Sequence, residues 1–355
     1  MTVRHLVRGT ILGSVALVVA LAGCASGGTT TAPGGDEKAG SESDPAALSG
    51  EFTLYGPGAP ELEATVIKAF NEEYPNIRVN AVKLVGQDLP TRLQSEFASG
   101  QHVGDVVLTS TLDPYGPWGD GKQDWWEPYL PEGSDELPAY AVSEEQGWFA
   151  PYSSGFGIAY NTEALSANDV PKTWDELLDP KWKGRVLLPD PTILALPTVL
   201  FSGLSLEGVI DDEWVADFVA NEPIITESAA AITQPLSTGV GDLAVWGQGY
   251  VTVGVAQGAP FAYIGATTAQ SVTPAALIKD GPNPEMAKVF LDWLLTDPAQ
   301  ESLAQNGYIP LMPDQPLPEG ITPEELADSV VIPTFSEGAF AEAQRLMGVF
   351  ESELN

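Results

Sequence analysis

Cys24 is the only cysteine in the 355-residue chain, and it closes Leu21-Ala22-Gly23-Cys24 behind an apolar run that starts near Ile11 and follows Arg4 and Arg8. A basic start, about a dozen apolar residues and then small residues ending on a cysteine make an export signal cut before the thiol, which then carries lipid. The apolar stretch is shorter than the roughly 20 residues of a spanning helix. The sequence therefore predicts a mature protein that begins at Cys24, outside the cytoplasm, lipid-anchored to the cell membrane. With its one thiol so used there are no disulfides, and the folded part depends on its core.

The other residues with chemical potential are acids, hydroxyls and aromatic rings. Asp190-Pro191-Thr192 follows a short apolar run, Glu227-Ser228 precedes another helix start, and Trp246 and Tyr250 close a third run. Tyr55 and Gly56 end the first β-rich segment, Ser110 follows a third, Trp118 sits in a Pro- and Gly-rich loop, and Ser154 lies in a glycine-containing β-rich run. Nucleophilic catalysis lacks its parts: His102 is the one histidine behind the leader, and no G-x-S-x-G occurs around Ser154. Gly247-Gln248-Gly249 lacks the third glycine of a dinucleotide loop, and Asp113, Asp120 and Asp124 lack calcium-loop spacing. Paired carboxylates for glycoside cleavage stay open, because 49 acids make any single pair uninformative.

Those 49 acids face 15 basic residues, a formal charge of −34 that becomes about −36 once Arg4 and Arg8 leave with the leader. Nucleic-acid binding is excluded, since phosphate contacts need basic patches. The acidity keeps an exported protein soluble and suits cationic ligands. Residues 25 to 49 hold Gly, Ser, Thr, Pro and charge with almost no large apolar side chain, so they read as a flexible tether.

Behind the tether, alternation of strands and helices supplies the frame for the candidate residues. Glu51 to Tyr55 is a strand, and Leu62, Val66, Ile67, Phe70 and Tyr74 fall at helical spacing before Pro75. Ile77 to Leu84, a helix from Asp88 to Gly100, and Asp105 to Leu108 complete a β-α-β-α-β order, the pattern of a parallel sheet covered by helices. Ligands of such sheets sit beyond the carboxyl ends of the strands, which places Tyr55 to Gly58 and Thr109 to Asp113 at a site. The later part repeats the alternation: a capping box at Thr173 to Glu176, strands at Val186, Ile224 and Asp242, one helix over Ser205 to Ala220, a helix from Asn283 to Leu295, and a last amphipathic helix through Phe340, Leu346, Met347 and Phe350.

From Gly50 to about Pro313 the order of pieces resembles the extracytoplasmic solute-binding lipoproteins of ABC importers, in the ferric-ion, polyamine, thiamine and phosphonate branch. The resemblance is carried by Ala69-Phe70-Asn71-Glu72-Glu73-Tyr74-Pro75-Asn76-Ile77, by Tyr160-Asn161-Thr162 with Pro171 to Leu178, by Pro180-Lys181-Trp182-Lys183-Gly184-Arg185, and by Asn283-Pro284-Glu285 through Phe290-Leu291. It implies an α/β, type II periplasmic-binding-protein-like fold with two lobes, hinge crossings and an interlobe ligand cleft. The expected division is 1–23 signal peptide, 24–49 tether, 50–152 lobe 1, 153–262 lobe 2, 263–313 return to lobe 1, and 314–355 a helical segment packing on lobe 2. Crossings fall at Tyr152 to Tyr160 and Phe261 to Ala269, where Gly155, Gly157 and Gly265 allow bending. A small solute and a membrane permease are the implied partners of a monomer that does no catalysis and holds no cofactor or resident metal.

Ferric-ion binders of this family resemble one another in a histidine after the first strand, an acid after the third, and adjacent tyrosines after the strand that is here Asp242 to Trp246. Those positions fall on Ala59, Ser110 and Gly249, so only Tyr250 matches. A single phenolate suits a hard cation poorly, and acids beside aromatic rings suit an organic cation. The sequence thus points to a small polar or cationic organic solute contacted by Tyr55, Gly56, Ser110, Trp118, Ser154, Asp190, Thr192, Glu227, Ser228, Trp246 and Tyr250. Ferric iron with non-standard ligands, an anion such as a phosphonate or sugar phosphate, and a carboxylate-dependent hydrolase are the alternatives. His102 is expected to be a solvated loop residue.

Overall fold

A computed structural model describes residues 47–56, 60–84, 88–109, 124–193, 195–332 and 337–355. Cys24, Ala59, Ser110 and Trp118 lie outside the described residues. The first half of the chain runs β1 (Gly50–Gly56), α1 (Pro60–Glu73), β2 (Ile77–Lys83), α2 (Asp88–Ser99), β3 (Val106–Leu108), β4 (Trp126–Glu127), β5 (Val142–Ser143) and β6 (Trp148–Asn161). Helix α1 buries Val66 and Phe70, one turn apart, and Tyr74 stacks on Phe70 with ring centroids 4.9 Å apart before Pro75 ends the run. Gly100, at φ +65°, takes the left-handed turn that stops α2.

The chain continues through β7 (Val186–Pro189), α3 (Leu196–Leu206), α4 (Asp212–Ala220), β8 (Ile224–Thr226), α5 (Thr233–Ser237), β9 (Leu243–Gly247) and α6 (Gln248–Ala256). It ends with β10 (Phe261–Ile278), α7 (Pro284–Trp293), α8 (Asp297–Gln305), β11 (Tyr308–Pro310), α9 (Pro323–Ala327), β12 (Val330–Val331) and α10 (Glu337–Leu354). The single helix expected over Ser205 to Ala220 is two. Gly208 adopts φ +69°, and the Asp211 carboxylate accepts from the Trp214 amide at 2.9 Å, capping a fresh helix in another direction. The capping box at Thr173 yields one 3₁₀ turn, Asp175–Leu178, rather than an α-helix. Among the described residues no helix is long and apolar enough to cross a membrane.

All the described strands join one sheet whose main path is β2-β1-β3-β10-β6-β9-β7-β8. At one end β1, β2 and β3 are mutually parallel; at the other, β9, β7 and β8 are. Between them run the two long antiparallel strands β6 and β10, and each serves both ends. Residues 148–153 of β6 pair with 272–276 of β10 in the first half, whereas residues 156–161 pair with β9 and with 261–269 of β10 in the second. The β6–β10 register shifts between Ile264 and Ala269, in the expected second crossing.

Separate cores flank this seam. Phe52, Phe70, Phe290 and Trp293 form the aromatic centre of the first lobe, and Trp182, Phe201, Trp214, Phe218 and Phe350 that of the second. The tryptophans at 174, 182, 214 and 293 are all buried, as is usual for so large an apolar ring. Helix α10 returns across α3 and α4 and stacks Phe350 on Phe201 at 5.3 Å. Buried Asp105 joins three elements of the first lobe: it accepts from the Thr53 amide at 2.7 Å, the Asn283 amide at 2.6 Å and the Asn283 side chain at 3.2 Å. Full burial of a carboxylate is tolerated because each of these bonds replaces water.

Candidate functional site

In the second lobe the parallel strands β9, β7 and β8 all end at one edge, and six sequence-predicted residues gather there. The ladder between β7 and β8 extends one step further, with the Asp190 amide donating to Thr226 O at 2.8 Å. The Asp190 carboxylate then accepts from the Thr192 amide at 2.9 Å and the Thr192 hydroxyl at 2.6 Å, so its Oδ1 closes its own turn. Glu227 and Ser228 are exposed in the next loop. The Ser228 hydroxyl accepts from the Ala231 amide at 3.3 Å, and its carbonyl accepts from the Thr226 hydroxyl at 3.1 Å.

Trp246 and Tyr250 stand at the end of β9 and in the first turn of α6. Their rings are stacked, 5.3 Å between centroids and 9° between planes. Trp246 is fully buried and its indole N–H donates to Ala229 O at 2.7 Å, whereas Tyr250 is 41% exposed. The helix starts at Gly247 without a side-chain cap, and its N-terminus is the weakly positive end of its dipole.

Ser154 is half-buried on β6, in register with Ser271 of β10 and Tyr308 of β11. Tyr308, which the sequence reading passed over, reaches α6. A Cβ placed on Gly249 would lie 3.7 Å from the Tyr308 hydroxyl oxygen. The one signal for it was a tyrosine behind the helix-ending Gly307, too common a pattern to single out.

The first-lobe candidates occupy a different setting. Tyr55 is fully buried, with its hydroxyl hydrogen-bonded to Glu96 at 2.5 Å and Arg92 Nε at 3.3 Å from the same oxygen. Burial, reinforced by the Glu96 carboxylate, pushes the Tyr55 phenol well above its usual range. Glu96 is 4% exposed and accepts from the Val103 and Gly104 amides at 2.9 and 3.3 Å. Burial raises its pKa, but these hydrogen bonds and that from Tyr55 outweigh burial and hold the carboxyl below the ordinary glutamate value. Tyr55 therefore fills the space under α2, because β1 is covered on both faces. Gly56 is buried at the strand end, where its carbonyl accepts from the Leu84 amide at 2.8 Å.

Several expectations change on this geometry. Trp125 and Trp126 are each only 6% exposed and, with Tyr55 and Trp246, spend their faces on packing rather than on an open surface. His102 is half-buried, edge-on to Phe97 at 4.7 Å, rather than solvated. Gly155 and Gly157 lie inside a continuous strand. At Gly157 a Cβ would meet the Tyr263 hydroxyl at 2.6 Å, so close approach, not a turn, demands the glycine. Among the described residues no group of three or more His, Cys, Asp or Glu side chains could hold a metal ion.

Residues 65–328 match the family model of the bacterial extracellular solute-binding proteins. Iron uptake protein A1 of Synechocystis is 27% identical over 290 residues, covering 76% of this chain and 78% of that protein. The fold superposes on iron-bound HitA of Pseudomonas aeruginosa with a TM-score of 0.65 at 20% identity, covering 85% of this chain and 99% of that one. It also superposes on the Trichodesmium protein IdiA (FutA), solved in complex with iron and citrate, with a TM-score of 0.63 at 18% identity over 86% and 99% of the two chains. A two-lobed type II frame whose strand ends present polar groups, matched over most of its length, fits capture of a solute outside the cytoplasm. The chain belongs to the bacterial extracellular solute-binding proteins.

Proposed function

We propose that the solute is ferric iron, bound with Tyr250 as a phenolate ligand and with most of its remaining oxygen donors brought by a small chelating anion. The observation that carries this reading is the exposed Tyr250 phenol at the uncapped start of α6, in a chain similar over 290 residues to an iron uptake protein. Ferric iron is a hard cation that prefers anionic oxygen. A carboxylate chelator supplies such oxygens and is itself attracted to the positive end of a helix. The second phenol near that helix, Tyr308, is a further candidate oxygen donor.

The organic-cation reading needs open aromatic faces, and among the described candidate residues Tyr250 alone offers one. Tyr55, Trp125, Trp126 and Trp246 are buried. Departures from the usual ferric ligands at Ala59, Ser110 and Gly249 favour a chelated cargo over a bare ion, since fewer protein donors leave more of the coordination sphere to the chelator. Cys24 is proposed to carry the lipid that keeps the protein beside its permease.

Titration of the purified mature protein with ferric citrate and ferric nitrilotriacetate tests the reading. Binding at one iron per protein with a visible phenolate-to-iron charge-transfer band is expected, and Tyr250→Phe should remove most of that band. Absence of iron binding, together with a large thermal stabilisation by an amine or a sugar phosphate, would refute it.

A further inference from the structure

We infer that Trp246 is a positioning residue that fixes the Tyr250 phenol and the Ser228 turn in one rigid arrangement, an inference that builds on the reading of Tyr250 as a ligand contact. Three contacts made by one fully buried side chain carry it. The indole face lies parallel to the Tyr250 ring at 5.3 Å, its N–H donates to Ala229 O at 2.7 Å, and it makes a T-shaped contact with Phe261 at 5.5 Å and 81°. Ala229 directly follows Glu227 and Ser228, and Phe261 is the first residue of β10. One ring therefore links a candidate ligand side chain, a candidate ligand loop and the strand that crosses between lobes.

Position explains why tryptophan suits this place. Trp246 is the penultimate residue of β9, paired with Gly157 of β6, so the sheet fixes its backbone on that side. Tyr250 is four residues further on, past the strand-to-helix corner at Gly247, where a Cβ would lie 3.4 Å from the Tyr250 ring. A phenol on a helix start at the surface has a free choice of rotamer unless a surface beneath it selects one. The stacked indole is one such surface. Holding the phenol beforehand removes the ordering cost from the binding step, and an aligned oxygen meets the metal without rearrangement. Phenylalanine at this position keeps a face for the ring but loses the donor to Ala229. Leucine loses both.

The test labels the protein with 3-fluorotyrosine and assigns the Tyr250 signal by its absence in Tyr250→Phe. In metal-free protein, stacking predicts a narrow fluorine resonance displaced by the indole ring current. Trp246→Phe should keep a displaced, narrow signal. Trp246→Leu should move it toward the free-tyrosine position and broaden it, and should weaken ferric citrate binding by tenfold or more, against about threefold for Trp246→Phe. Phe261→Leu, a core change against the same indole, should lower the melting temperature yet leave the resonance in place. If Trp246→Leu does not fold, Trp246→Met gives the same reading. An unchanged resonance in the leucine or methionine variant overturns the inference. Failure of wild-type protein to bind iron, with the resonance behaving as expected, would instead overturn only the ferric assignment.

Discussion

One close approach in the crossing strands permits a quantitative test. Gly157 of β6 has no room for a side chain: a Cβ would stand 2.6 Å from the Tyr263 hydroxyl, 2.8 Å from Thr267 Oγ1 and 3.0 Å from Thr267 O. The Tyr263 hydroxyl is buried beside Thr268, whose own proton goes to Gly265 O at 2.6 Å, and no hydrogen bond of good geometry satisfies it. Burial pushes this phenol far above its usual range, so it stays neutral. Gly157→Ala should cost about 1–3 kcal/mol by overpacking. Tyr263→Phe removes a polar group whose burial is uncompensated, a penalty of about 1–3 kcal/mol, and after the loss of its contacts should stabilise by about 1 kcal/mol. In the Tyr263→Phe background the 2.6 Å clash is gone, and Gly157→Ala should then cost about 1 kcal/mol less, a coupling measurable in a double-mutant cycle. Each kcal/mol corresponds to roughly 2–4 °C of melting temperature in a chain of this size, read by calorimetry or circular dichroism. A fall of more than about 4 °C in Tyr263→Phe would mean that its hydroxyl has a partner and would refute the reasoning. Equal costs of Gly157→Ala in both backgrounds would refute it too.

Other outcomes follow from the same geometry. Phe350→Ala should lose about 3–5 kcal/mol, because a fully buried ring stacked on Phe201 leaves a cavity between α10 and α3; denaturant unfolding measures it. Glu96 is held below its ordinary pKa near 4.5 in the folded protein, so its contribution is complete above that value and is lost as pH falls through the lower folded value. Glu96→Gln should accordingly flatten the acid side of the stability profile, and an acid limb as steep as wild type would contradict this. Cys24→Ser should abolish incorporation of labelled fatty acid, and labelled mutant protein would exclude the lipid site.

Much of the frame is readable in the sequence because local signals and burial agree. Phe70 and Tyr74 before Pro75, Gly100 after α2, and Pro284 at the start of α7 mark boundaries that the structure keeps within a residue or two. The long helix over Ser205 to Ala220 failed for a specific reason: its apolar residues continue at helical spacing through a break set by Gly208 and the Asp211 cap. The candidate site was partly legible. Helix starts marked Asp190 and Glu227 and the family resemblance marked Tyr250, but strand-end logic, which marked Tyr55, could not tell a ring that is exposed, as in Tyr250, from one that faces a covering helix, as in Tyr55. That distinction depends on α2 closing over β1, a long-range contact with no local trace. Asp105 and Tyr308 escaped for the same reason, since their partners lie far along the chain.

The sharing of β6 and β10 by both ends of the sheet bears on how such a protein is modified. Each half takes hydrogen-bonding edges from segments that leave and come back, so neither is a transplantable module, and cutting between them would strip two ladders at once. Strand-end loops, by contrast, hang from a frame that does not depend on them. Cargo preference in this chain is thus open to change by loop grafting, while exchange of whole halves with a relative should yield insoluble product.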